Sequence, residues 1–173
     1  RRNIVTHNLI LTGDEDTDPN VTVWPFDRTI ALNGSCELLV PDMTGEVTAT
    51  DNCAGITVTQ NIASGTLLAS GEGTTHTVII SVNDGRGNIV THNVILTGDD
   101  DTDPNVTVWP LDRTIALSGS CELLVPDMTG EVTATDNCAG ITVTQNIASG
   151  TLLASGEGTT HTVIISVNDG RGN

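Results

Sequence analysis

Two short acidic runs are the residues of this chain best suited to hold a cation. Each places four carboxylates in five consecutive positions with no arginine or lysine beside them: Asp14, Glu15, Asp16 and Asp18, then Asp99, Asp100, Asp101 and Asp103. Carboxylates this close repel one another unless a cation lies among them or the segment stays loose in water. Calcium takes six to eight oxygens from carboxylates, amides, backbone and water. The runs therefore predict calcium sites, with a solvated acidic linker as the alternative.

Nearby turns would have to complete such sites. An EF-hand is excluded, because Pro104 stands where that loop needs glycine and Pro110 where it needs its last glutamate. The candidate ligands are an Asp-Asn pair before a cysteine and the two ends of a glycine-rich turn, once in each half of the chain: Asp51, Asn52, Asp84 and Asn88, then Asp136, Asn137, Asp169 and Asn173. The turn 84–88 is alternatively a plain hairpin loop with an aspartate cap.

The chain is an 85-residue repeat. Residues 1–88 and 86–173 differ at only five pairs of positions: Arg2/Gly87, Leu9/Val94, Glu15/Asp100, Phe26/Leu111 and Asn33/Ser118. Such near-identity predicts units that meet the same neighbours, as in a tandem array. We expect residues 1–13 to be the last strand of a preceding repeat, 14–98 a complete repeat, and 99–173 a second repeat that lacks its last strand.

Each copy predicts seven or eight short strands. Thr, Val and Ile alternate with a period of two between clusters of Gly, Pro, Asn and Asp, and no helical period appears. The pattern predicts an all-β fold of tandem immunoglobulin-like antiparallel sandwiches, one for each copy.

Charge limits the partners. The chain carries 22 acids against six basic residues, for a net charge of −16. This balance excludes nucleic acid and anionic membrane surfaces as partners, because both need basic contacts. We expect no membrane insertion in this segment.

The four cysteines allow three pairings. One pairing bonds each cysteine to its equivalent in the other copy. These equivalent points should lie about 30 Å apart, whereas a disulfide needs Cα atoms within about 7 Å. The remaining cross-pairing also spans two copies. We therefore predict Cys36–Cys53 and Cys121–Cys138, with free buried thiols as the alternative. Disulfides indicate an oxidising compartment, hence secretion or the cell surface.

A family resemblance covers both copies. Gly34-Ser35-Cys36, Val40-Pro41-Asp42, Asp51-Asn52-Cys53, Gly65-Thr66 and the turn 84–88 follow in order. The chain resembles the hyalin repeat family, immunoglobulin-like extracellular modules of animal matrix proteins and bacterial surface proteins. The resemblance implies an adhesive or structural role and no catalytic residues. Trp24 and Trp109 depart from it, because many members have cysteine there.

We therefore predict a non-enzymatic stalk or fibre of a cell-surface adhesin or extracellular filament. Its partners would be adjacent repeats of the same chain, or other chains in a homo-oligomeric filament joined by strand donation. The alternatives are a carbohydrate- or protein-binding adhesion module and accessory domains of a secreted hydrolase. No nucleophile elbow or phosphate loop favours an enzyme.

Overall fold

The computed structural model describes residues 1–53 and 55–171, and within them the regular secondary structure is almost entirely β. The predicted all-β class is confirmed. Whether each copy is an immunoglobulin-like sandwich stays a prediction. Asn173, one of the candidate ligands, lies outside the described residues.

The first copy contributes eight strands, all bounded by turn residues: β1 (Asn20–Val23), β2 (Arg28–Ala31), β3 (Glu37–Leu39), β4 (Thr48–Thr50), β5 (Thr57–Gln60), β6 (Leu67–Ala69), β7 (Thr75–Asn83) and β8 (Ile89–Asp99). The described part of the second contributes six: β9 (Asn105–Val108), β10 (Glu122–Leu124), β11 (Thr133–Thr135), β12 (Thr142–Gln145), β13 (Leu152–Ala154) and β14 (Ile165–Asn168). A short 3-10 turn follows β3 and β10, at Thr44–Glu46 and Thr129–Glu131.

Strand pairing repeats between the copies with an 85-residue offset. β3 pairs antiparallel with β6, matching Glu37 to Ala69, and β10 pairs with β13 in the same register. β1–β4 and β9–β11 form another equivalent pair, each with one irregular step. In the first copy β2, β8, β7 and β5 form a four-stranded sheet in that order, whereas in the described part of the second β12 and β14 form a two-stranded sheet.

Period-two alternation places the core. Along β7 every second residue from Val78 to Val82 is buried, and along β8 Val94, Leu96 and Gly98 are. Leu38, Val40 and Met43 are also buried. The residues between these inward positions are more open: Ile79 and Ile95 are exposed, and Ser81 and Thr97 are half-buried, as a sheet with one buried face requires.

The backbone forms two compact units. One comprises Arg1–Arg28, Val40–Thr66 and His76–Leu96; the other comprises Thr29–Leu39, Leu67–Thr75 and Thr97–Asn173. The second unit thus contains segments of both copies. Residues 1–19 belong to no strand or helix. The repeat boundaries expected from the sequence stay a prediction.

Candidate cation sites and disulfide

Three carboxylates from distant parts of the first copy come together at strand ends. Glu15 precedes β1, Asp51 follows β4 and Asp84 follows β7, and one carboxylate oxygen of each lies within 4.8 Å of the others. We call this group cluster 1. Asp84 is buried, and the other two are half-buried.

The second copy repeats the arrangement. Asp100 follows β8, Asp136 follows β11 and Asp169 follows β14, and their ligand oxygens also lie within 4.8 Å of one another. We call this group cluster 2. Its members are the residues 85 positions after those of cluster 1, and Asp100 and Asp169 are 2% and 3% exposed.

Local turns hold the carboxylates in place. The backbone N–H of Cys53 donates to Asp51 Oδ2 at 3.1 Å, and that of Cys138 donates to Asp136 Oδ2 at 3.2 Å. The N–H of Arg171 likewise donates to Asp169 Oδ1 at 2.8 Å. Aspartate accepts such bonds from the residue two positions ahead, which explains why Asp-Asn-Cys and Asp-Gly-Arg form these turns.

These turns use only one oxygen of each carboxylate. The other oxygens, Asp51 Oδ1, Asp136 Oδ1 and Asp169 Oδ2, are buried and have no hydrogen-bond partner among the described residues. A buried, unpaired carboxylate oxygen is costly, and a bound cation is one of the few groups that offset the cost. Three carboxylates are a hard oxygen donor set of the type that Ca²⁺ prefers. The residues of both clusters therefore fit a divalent cation.

Asn88 lies within cluster 1. Its side-chain N–H groups donate to Asp84 Oδ2 at 2.8 Å and to Glu15 Oε2 at 3.2 Å. The hydrogen bond from the Arg86 N–H is the largest influence on the pKa of Asp84 and lowers it. Burial raises this pKa, but further hydrogen bonds with Asn88 and Glu15 lower it, and the result is about 2. Asp84 is therefore ionised at neutral pH.

Beside cluster 2, the arginine two positions after Asp169 donates hydrogen bonds to backbone carbonyls. Arg171 donates from Nε to the carbonyl of Asp169 at 3.4 Å and from Nη2 to the carbonyl of Ala139 at 3.2 Å. Asp100 is positioned by Glu72, whose Oε2 accepts the Asp100 N–H at 2.7 Å. The sequence did not single out Glu72.

Only one residue of each acidic run enters a cluster, Glu15 in the first and Asp100 in the second. The remaining predicted ligands of the runs lie outside both clusters: Asp14, Asp16, Asp18, Asp101 and Asp103 are exposed, and Asp99 is half-buried. Asp99 contributes its backbone carbonyl to the sheet, where it accepts the Leu32 N–H at 2.8 Å.

The disulfide differs from the predicted pairing. Cys36 is bonded to Cys138, with Cα atoms 4.9 Å apart, and Cys53 and Cys121 are free thiols. The predicted pairs Cys36–Cys53 and Cys121–Cys138 are therefore wrong. Repetition excludes only like-with-like pairing; a bond from the first cysteine of one copy to the second cysteine of the next repeats equally well.

The contacts around the second acidic run account for the observed pairing. If Asp136 lies with Asp100 at the start of the second copy, Cys138, two residues further on, must lie there too. The Leu32 N–H bonds to Asp99, so Cys36 is near the same point. Asn137 adds a contact, donating from Nδ2 to the Asn33 carbonyl at 3.3 Å.

No protein-family model, curated protein or solved structure matches this chain. The hyalin repeat resemblance accordingly stays a prediction. Among the described residues no helix is long and apolar enough to cross a membrane.

Proposed function

We propose that this chain is a load-bearing segment of an extracellular stalk or fibre, built of immunoglobulin-like repeats of the hyalin type. The observation that carries the proposal is the Cys36–Cys138 bond, which ties one 85-residue copy covalently to the next. A bond of this kind limits how far two successive repeats can be pulled apart. An oxidising, extracellular setting is the one in which it persists.

Cation binding is the second part of the proposal. Clusters 1 and 2 recur at the same position of each copy, and each joins a segment that precedes the first strand of its copy to the turns after two later strands. Ca²⁺ bound there would offset two of the three negative charges and hold these segments together. The acidic residues would then provide ligands for the repeated cation sites and also keep the protein soluble.

Force extension tests the load-bearing role. The bonded cysteines are separated by 102 residues, which reach about 35 nm when fully extended. With the chain pulled from its two ends, we expect the oxidised form to unfold without releasing this length. Addition of a reducing agent should release it. A Cys53→Ser/Cys121→Ser chain is the control and should behave as the parent does. Equal contour lengths before and after reduction would contradict the proposal.

Calcium dependence is tested by thermal unfolding with Ca²⁺, with Mg²⁺ and with a chelator. A ligand present at 100 times its Kd stabilises the folded state by about 2.7 kcal/mol, so we expect a higher Tm with Ca²⁺.

The Asp136→Asn variant separates a bound cation from a structural role for the side chain. Asparagine keeps an acceptor for the Cys138 N–H but removes one charge. We expect a higher Tm than the parent in chelator, because repulsion falls, and a weaker response to Ca²⁺. Asp42→Asn is the matched control, because Asp42 forms the same kind of turn with Thr44 outside both clusters. If both variants respond to Ca²⁺ as the parent does, cluster 2 is not a calcium site.

A further inference from the structure

One turn of the chain carries both a ligand of cluster 2 and a bonded cysteine. Residues 136–138, which we call the Asp136 turn, begin with the cluster carboxylate and end with Cys138. The Cys138 N–H donates to Asp136 Oδ2 at 3.2 Å, so the cysteine and the carboxylate are fixed relative to each other. Cys138 is 4% exposed. Movement of this cysteine therefore moves a cation ligand with it.

The other bonded cysteine lies in a turn that is held next to a second ligand of cluster 2. This turn comprises residues 33–36 and ends with Cys36, and we call it the Cys36 turn. Leu32, the residue before it, donates its N–H to the Asp99 carbonyl at 2.8 Å. The cluster ligand Asp100 is the next residue along the chain. The Cys36 turn is therefore anchored to the backbone that carries Asp100.

Two links join these two turns. One is the disulfide, with Cα atoms 4.9 Å apart. The other is the Asn33 carbonyl, which accepts the Cys36 N–H at 2.9 Å and a side-chain N–H of Asn137 at 3.3 Å. Both turns and all three ligands of cluster 2 belong to one compact unit. The disulfide thus limits the separation of the two backbone segments that supply Asp100 and Asp136.

Cluster 2 concentrates buried negative charge beside this disulfide. Asp169 is 3% exposed, and its Oδ2, like Asp136 Oδ1, has no hydrogen-bond partner among the described residues. The same holds for Asn137 Oδ1, which lies between Asp136 and Cys138 in sequence. Three carboxylates at this spacing repel one another and push the Asp136 turn away from Asp100, whereas a divalent cation among them attracts all three.

We propose that Ca²⁺ binding at cluster 2 and the Cys36–Cys138 disulfide stabilise each other. The disulfide holds Asp100 and Asp136 near the separation that the cation requires, which lowers the conformational entropy lost on binding. The bound cation draws the two turns together and so favours the oxidised cysteines. The two effects are equal in free energy, because coupling between two sites is reciprocal. The proposal rests on the cation part of the proposed function and adds a redox control of that site.

The redox step is thiol–disulfide exchange with an added dithiol, dithiothreitol. This reagent supplies two electrons and two protons, the Cys36–Cys138 S–S bond breaks to give two thiols, and the reagent becomes a cyclic disulfide. Because Ca²⁺ favours the oxidised protein, it should make the reduction potential more negative. Coupling typically changes affinity about 5- to 150-fold, and a tenfold change is about 30 mV for a two-electron couple. The expected shift is therefore about 20–65 mV.

The reduction potential is measured in the full-length Cys53→Ser/Cys121→Ser chain, so that the titration reports only Cys36 and Cys138. The chain is equilibrated in mixtures of reduced and oxidised dithiothreitol with Ca²⁺ or with a chelator. Its thiols are then alkylated and counted by mass spectrometry. We expect the midpoint in Ca²⁺ to be more negative by the amount given above. Equal midpoints in the two media would overturn the proposal.

The Asp169→Asn variant separates cluster 2 from a general effect of Ca²⁺. Asparagine keeps an acceptor for the Arg171 N–H but removes one charge from the cluster, so the shift should be largely lost. Asp127→Asn is the matched control. Asp127 accepts the Thr129 N–H in the same kind of turn and in the same compact unit, but outside the cluster, so this variant should keep the parent's shift. Equal shifts in the two variants would contradict the proposal.

The reciprocal effect is measured as Ca²⁺ affinity. In the same serine background, with cluster 1 disabled by Asp84→Asn, calorimetry compares the oxidised chain with the chain kept reduced in dithiothreitol. We expect the reduced form to bind Ca²⁺ more weakly, by the factor that the redox shift gives. Circular dichroism of the reduced form should keep its β signal. Loss of that signal would show that the coupling acts through unfolding of the chain and would reject the route through the two turns.

Failure of this proposal differs from failure of the proposed function. If Ca²⁺ raises the Tm of the oxidised chain but leaves the redox midpoint unchanged, the calcium site stands and the coupling is rejected. If Ca²⁺ changes neither quantity, the cation part of the proposed function fails with it. The force-extension test of the disulfide depends on neither result.

Discussion

Cys36 is bonded to Cys138, a residue of the other 85-residue copy, although Cys53 stands much nearer in sequence. The chain contains no lysine, so trypsin cleaves it after arginine alone and leaves Cys36 and Cys53 on peptide 29–86, Cys121 and Cys138 on 114–171. We expect these two peptides to be joined in an unreduced digest. Mass spectrometry distinguishes them because Asn33 in one replaces Ser118 in the other. Two separate peptides, each with an internal disulfide, would show that the cysteines pair within each copy instead.

The same disulfide should contribute more to stability than the two free cysteines do. A closed loop of about 100 residues is worth about 4.7 kcal/mol in the chain-entropy description. We expect Cys36→Ser/Cys138→Ser to lower the urea midpoint of the dilute chain strongly and to remove its response to reducing agent. Cys53→Ser/Cys121→Ser is the control, with the parent's midpoint and its full response. Similar midpoints for the two double variants would count against the bond.

Gly98 is required by a close approach in the sheet. A Cβ at this position would lie 2.7 Å from Ser70 Oγ and 2.8 Å from the Gly71 carbonyl oxygen. Overpacking of this kind costs about 1–3 kcal/mol. We expect Gly98→Ala to destabilise the chain by that amount in chemical denaturation. The matched variant is Gly13→Ala, whose Cβ would meet nothing within 4 Å, and it should change the free energy of unfolding by less than about 0.5 kcal/mol. Equal effects would refute this account of Gly98.

Gln60 satisfies three backbone groups around the 3-10 turn. Its Oε1 accepts the Met43 N–H at 3.0 Å, and its Nε2 donates to the carbonyls of Pro41 and Ile62 at 3.1 and 2.6 Å. Gln60→Leu leaves these groups unpaired, at about 1–3 kcal/mol for each one that stays buried. We expect a marked fall in the urea midpoint, whereas Thr57→Leu, at an exposed position of the same strand, should have little effect. If Gln60→Leu leaves the urea midpoint unchanged, water must replace the hydrogen bonds of the side chain.

The Asp42 carboxylate gives a pH-dependent test. Its Oδ1 accepts the Thr44 hydroxyl at 2.7 Å and the Thr44 N–H at 3.0 Å, and these bonds, the hydroxyl first, hold the pKa of Asp42 below its ordinary value of 3.8. Because the folded-state pKa is the lower one, the stabilisation is present above pH 3.8 and is lost as pH falls through the folded-state value. Thr44→Val should raise the pKa of Asp42, measured by NMR titration of its carboxyl carbon.

Asp127 is the internal control for that titration. It accepts the equivalent two bonds from Thr129, which also lower its pKa, and Thr129 is unchanged in the variant. We expect its titration midpoint to stay in place. If both aspartates shift together, the cause is a general change in charge or fold rather than the lost hydroxyl.

Much of this fold follows from local sequence. Apolar residues alternate along 75–83 of the sequence, and this stretch is the strand Thr75–Asn83 with one buried face, because side chains of a strand point alternately to opposite sides. The last strand of the first copy is Ile89–Asp99. The Asp-Asn-Cys and Asp-Gly-Arg turns were recognisable as candidate ligands because aspartate caps such turns through bonds to neighbours in sequence.

Tertiary structure decided which carboxylates meet and which cysteines bond. The four carboxylates of a run are chemically alike, and only the path of the backbone past the ends of β4 and β7, or β11 and β14, selects Glu15 or Asp100 from its neighbours. Near-identical copies present the same cysteines twice, so repetition cannot say whether a partner lies in the same copy or the next. Residues 3–11 and 88–96 differ at one position, yet Leu96 is buried and its equivalent Leu11 is exposed, because burial depends on the strands that lie beside a segment.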